Sequence, residues 1–167
     1  MKLTSAEANK LLKKLTEDHT AIIENENMTC VFKAAMGEDP ETLRPEYNFE
    51  KTQAELKFIE AKIRKIKHAI NIFNSTTIIP EFNMTIDEML IYMPQLTNRK
   101  TKLSMLKSRL PKMRDNNIRN SNIIDYTYAN YDIKTVTEIY NDISEELNKA
   151  QIALDKINNT IEIEINI

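Results

Sequence analysis

The chain has 167 residues, 23 lysines and arginines against 25 aspartates and glutamates, and a formal net charge of -2. It is 41% hydrophobic and 29% charged, a balance that suits ordered helices better than disorder. The one glycine, Gly37, cannot supply the turns and close backbone approaches of phosphate loops and dinucleotide folds, so nucleotide-binding α/β architectures are disfavoured.

One domain over residues 1–167 is expected, all-α in the main: a long-helix bundle or antiparallel coiled coil of about four helices. The helices are expected at about 4–34, 47–75, 86–113 and 133–161, with a short extended or β segment near 122–131. The first helix opens on a capping box, Thr4 with Glu7, and carries Ala8, Leu11, Leu15 and Ile22 on one face, with His19 at a stripe position. Gly37, Asp39, Pro40 and Pro45 mark a connection.

The second helix carries an unbroken heptad stripe of Phe49, Thr52, Leu56, Ile59, Ile63, Ile66, Ile70 and Phe73, alternating three and four residues apart. Thr76, Thr77, Ile78 and Ile79 before Pro80 read as an extended connector. A second capping box, Thr85 with Glu88, starts the third helix, whose face is Met89, Met93, Leu96, Leu103, Leu106 and Leu110. Pro94 is expected to kink it or delay its start. Strand formers then run through Ile123, Ile124, Tyr126 and Tyr128, and the partner of this strand is expected within residues 116–128 or in another subunit. The fourth helix bears the second unbroken stripe: Val136, Tyr140, Ile143, Leu147, Ala150, Leu154, Ile157 and Ile161. These two stripes are the candidate helix-packing and interface residues.

Charge is divided between the last two helices. Residues 89–114 hold seven basic side chains (Arg99, Lys100, Lys102, Lys107, Arg109, Lys112, Arg114) and no acidic one, while residues 132–167 hold eight acidic side chains against three lysines. The favoured reading is that the opposite charges flank helices that pack together, in one chain or across subunits. The alternative is a polyanion-binding surface on the third helix. The overall negative charge weighs against it, as does the lack of aromatic residues near these cations in sequence beyond Tyr92.

No chemistry announces itself. His19 and His68 share no motif with Cys30, which is expected to be a buried inert thiol. The sequence holds no Glu-x-x-His pair for a bundle metal site. No cofactor, metal, small-molecule substrate or catalytic activity is therefore expected. The opening Met1, Lys2, Leu3, Thr4 has no apolar signal core and no run of about 18 apolar residues exists, so a cytoplasmic location is expected and a membrane partner is disfavoured.

Several segments together resemble a family of small bacterial helical proteins, some labelled septicolysin. They are Met1-Lys2-Leu3, Asp39-Pro40-Glu41, Ile70-Asn71 with Asn74, Thr85-Ile86-Asp87-Glu88, and Leu154-Asp155-Lys156-Ile157-Asn158-Asn159. The chain departs from the family at Thr160, where the family carries Trp, and at Pro94. The resemblance implies a helical, self-associating protein and carries over no catalytic residue. The expected function is assembly, as a homo-oligomer or with a protein partner. A membrane-active, lysin-like role and a polyanion-binding module are the alternatives.

Overall fold

The computed structural model describes residues 1–115 and 125–167. The protein is mainly α-helical with short antiparallel strand pairs, in the order β1 (Lys2–Thr4), α1 (Ser5–Thr29), α2 (Pro40–Leu43), α3 (Phe49–Thr76), β2 (Ile78–Ile79), β3 (Met84–Thr85), α4 (Ile86–Lys107), β4 (Lys112–Arg114), β5 (Tyr126–Tyr128), α5 (Ile133–Thr160) and β6 (Glu162–Glu164). Contacts divide the chain into two compact units, Met1–Thr76 with Ile157–Ile167, and Thr77–Lys156.

In the first unit β6 pairs antiparallel with β1, with Leu3 opposite Ile163 and Thr4 opposite Glu162. The Ile165 N–H extends the ladder by donating to the Met1 carbonyl at 2.9 Å. Thr4 then caps α1: its hydroxyl accepts the Glu7 N–H while the Glu7 carboxylate accepts the Thr4 N–H, which satisfies two otherwise orphaned donors. Helices α1 and α3 run antiparallel. Glu26, near the end of α1, accepts from Tyr47 Oη (2.6 Å) and Gln53 Nε2 (3.0 Å) at the start of α3, and His19 meets Glu60 further along (3.2 Å). Asn48 caps α3 by accepting the Lys51 N–H.

The second unit repeats this plan with different residues. β2 pairs antiparallel with β3, with Ile79 opposite Met84 and Ile78 opposite Thr85. The turn between them uses Pro80, and Asn83 takes a positive φ of 51°, a conformation that asparagine tolerates. Thr85 and Glu88 form the same reciprocal cap on α4. Tyr92, early in α4, donates to Glu146 of α5, and Tyr131, just before α5, donates to the Leu106 carbonyl late in α4, so these helices also run antiparallel. Asp132 caps α5 by accepting the Lys134 and Thr135 N–H groups.

The correspondence extends to single residues at one constant spacing. α3 and α5 are each 28 residues long. Asn48 and Asp132 cap them, and Tyr47 and Tyr131 each reach back to the end of the preceding long helix. The stripe Thr52, Leu56, Ile59, Ile63, Ile66, Ile70, Phe73 falls register for register on Val136, Tyr140, Ile143, Leu147, Ala150, Leu154, Ile157. In the paired strands, Ile79 and Ile163 are the equivalent buried residues.

The four long helices and both capping boxes stand where the sequence places them, and the connector before Pro80 is a strand. The differences are at the ends of elements. The first helix stops at Thr29 rather than 34: no core receives Val31 and Phe32, so no buried contact sustains another turn. Cys30 therefore sits at the exposed helix end and is not the buried thiol expected. α4 ends at Lys107 rather than 113, because Pro111 has no N–H for the Lys107 carbonyl and disfavours helix at Leu110. It continues through Pro94 without a break in assignment. Of the segment 122–131, residues 122–124 lie outside the described residues. β5 pairs with β4, just before the expected range of 116–128. The strands β1 and β6 were not legible as such.

Candidate functional site

The first stripe is mostly interior. Leu56, Ile66, Ile70 and Phe73 are buried, while Ile59 and Ile63 are half-buried. In the second stripe Val136, Ile143, Leu154 and Ile157 are buried, Leu147 and Tyr140 are half-buried, and Ile161 lies exposed beyond the end of α5. Small Ala150 and Ala153 are buried among them. These residues hold the fold, so chemistry and recognition must be sought where side chains remain accessible.

Two such places stand out among the described residues of the first unit. A cleft of about 560 Å³ beside β6 is lined by Lys65, His68, Ile72, Phe73, Glu162 and Ile165. At the opposite end of its helical hairpin, the α1–α3 connection leaves large apolar side chains in solvent. Met28 is 72% exposed, Val31 74%, Met36 106% and Phe49 61%. The connection is shaped by Asp39, which caps α2 by accepting the Glu41 N–H, with Pro40 in the first turn. Arg44 pairs with Glu41 and lies over the Phe32 ring, and this ion pair holds the Glu41 carboxyl below the usual carboxylate range. Tyr47, tied to Glu26, has its hydroxyl pushed up to about 12, first by that hydrogen bond and then by desolvation.

The second unit presents a different end. β4 and β5 form a two-stranded ribbon, Lys112 opposite Tyr128 and Arg114 opposite Tyr126. Flanking bonds from Ala129 N–H to the Pro111 carbonyl (3.0 Å) and from Asp115 N–H to the Asp125 carbonyl (2.9 Å) extend it. Directly opposed and alternate residues of a ribbon share a face, so Lys112, Arg114, Tyr126 and Tyr128 stand together on one side. All four are exposed. Lys112 Nζ lies 4.1 Å from the Tyr126 ring centroid and 5.4 Å from that of Tyr128, with the two rings 6.5 Å apart and tilted by 51°. The other side carries Met113 and Thr127, which line a cleft of about 550 Å³ together with Arg109, Leu110 and Tyr131.

The basic helix α4 and the acidic helix α5 run antiparallel, but their opposite charges form no ion pair among the described residues. Among the described residues, none of Arg99, Lys100, Lys102, Lys107, Arg109, Lys112 and Arg114 lies within ion-pairing distance of a carboxylate. Lys100 and Lys107 instead lie over the Tyr140 ring, at 5.7 and 4.5 Å from its centroid. The acidic helix uses its own lysine, Lys149, to pair with Glu145, and gives Glu146 to the Tyr92 hydroxyl, whose pKa rises in consequence. Aromatic rings thus do accompany the cations. The sequence hid this because Tyr126, Tyr128 and Tyr140 lie far along the chain and arrive only through strand and helix pairing.

Among the described residues, no three His, Cys, Asp or Glu side chains converge as a metal site would require, and no helix is long and apolar enough to cross a membrane. Comparison with protein-family models and with curated proteins finds no match. Among solved structures, the chain is similar to a functionally unknown conserved protein from Corynebacterium diphtheriae, at 19% identity and a TM-score of 0.63, over 98% of this chain and 100% of that one. The likeness is one of fold.

Proposed function

We propose that the protein is a helical interaction protein that works without catalytic turnover, by assembling with further copies of itself. The observation that carries the reading is the apolar end of the first unit. Met28 at the end of α1, Val31 and Met36 in the connection and Phe49 at the start of α3 are large and mostly in solvent. Large apolar side chains left in solvent around one connection are the kind of surface that a protein contact covers. The resemblance to the septicolysin-labelled helical family supports the same reading, since it implies self-association. Light scattering after gel filtration tests it. The expected result is a mass of two or more chains that falls to that of one chain when Val31 and Met36 are replaced by serine, with helical content unchanged. A one-chain mass for the unaltered protein at every concentration would remove the proposal.

A further inference from the structure

We infer that the β4–β5 ribbon, with the adjoining end of α4, is a binding surface for single-stranded nucleic acid. Such strands are held by two kinds of group: cations that follow the phosphates, and exposed rings on which successive bases stack. Both occur on one ribbon face, where Lys112 and Arg114 alternate with Tyr128 and Tyr126 across the strand pair. The rings are exposed and tilted by 51°, so they are not used up in stacking on each other. Lys112 rests over both rings, which holds a cation beside each stacking position.

The charge around the ribbon is complementary to a polyanion. Lys107 and Arg109 lead into β4, and among the described residues neither they nor the ribbon cations are neutralised by a carboxylate. The carboxylates of Asp115 and Asp125 flank the ribbon's far end, which favours a strand entering from the α4 side. A duplex fits less well, because its bases are already stacked on one another and leave exposed tyrosine rings nothing to engage. An anionic membrane would use the same cations but would not require a free ring face.

The test is fluorescence anisotropy of a labelled thymine oligonucleotide with the full chain at low salt, where phosphate contacts are strongest. Single-stranded oligonucleotide is expected to bind more tightly than a duplex of equal length. Replacing both Tyr126 and Tyr128 by alanine is expected to weaken binding at least about tenfold, and by phenylalanine to preserve it. Replacing Lys112 and Arg114 by glutamine is expected to weaken binding and to reduce the slope of log affinity against log salt by about 1.4, for two phosphates released. All these side chains are exposed, so each variant is expected to keep the helical circular dichroism of the unaltered chain, which is measured alongside. Equal binding by the alanine variant, absence of binding at low salt, or binding to anionic vesicles without binding to the oligonucleotide would each overturn the inference.

Discussion

The two units share a foundation and differ at the far end. Each begins with a short antiparallel strand pair, passes through a threonine–glutamate cap into a long helix, and returns along a second long helix, α3 or α5, whose stripes match position for position, the last turn of α5 counting with the first unit. Between the two long helices the first unit inserts an apolar connection with one turn of helix, and the second inserts a basic, tyrosine-bearing ribbon. The shared parts are those that build strands, caps and cores. The unshared parts are exposed connections, which tolerate change and carry recognition on a rigid support. One scaffold used twice, with two unlike ends, is what one would expect if each end meets a different partner.

The strongest way to break the comparison is through its matched stripes. Ile143 is 4% exposed in α5, and Ile143→Asp would place an unpaired charge in that interior. The variant is expected to unfold or to lose its cooperative melt. A wild-type melting temperature would show that α5 does not use this face for packing, and the register match with α3 would lose its meaning.

A smaller effect sharpens the same point. Ile66 and Ala150 occupy equivalent positions and both are fully buried, yet one is large and one small, so the space around them must differ. Ile66→Ala is expected to cost about 2–5 kcal/mol by leaving a cavity. Ala150→Ile is expected to cost about 1–3 kcal/mol by overpacking. Urea unfolding followed by circular dichroism measures both. If Ala150→Ile were stabilising, the two cores would be closer in shape than their residues imply.

Much of this was readable from residues alone. Thr4 with Glu7, Thr85 with Glu88 and the two stripes each have a local physical cause, a cap or a periodicity, and local causes survive without knowledge of the fold. The stripes, and separately the caps, each recur at a fixed spacing in the sequence, but equivalent positions hold residues as different as Ser5 and Ile86 or Leu56 and Tyr140, so no similarity of composition marks the repeat. The strands β1 and β6 escaped because three residues carry too little pattern, and each exists only through a partner at the other end of the chain. The seven cations were legible as a cluster. Their relation to Tyr126, Tyr128 and Tyr140 was not, because opposite charge on α5 offered a simpler partner, and the structure satisfies that charge elsewhere.

The caps provide the finest test of whether the two units are alike. Thr4→Ala and Thr85→Ala are each expected to cost about 1 kcal/mol, and to cost the same within error. Their glutamates add a pH dependence. The backbone N–H of Thr4 holds the Glu7 carboxyl below the usual carboxylate range, and that of Thr85 does the same for Glu88. A carboxylate whose folded pKa lies below its unfolded value stabilises the protein fully above the unfolded value, and that contribution is lost as the pH falls through the folded one. Glu7→Gln and Glu88→Gln are therefore each expected to flatten the acid limb of a plot of melting temperature against pH, leaving the neutral limb parallel to the wild type. Matching changes in the two variants would mark one capping device used twice. A change in only one would mean that the helix starts are alike in geometry and unlike in energy, because the strand pair beneath one of them holds its first turn without the glutamate.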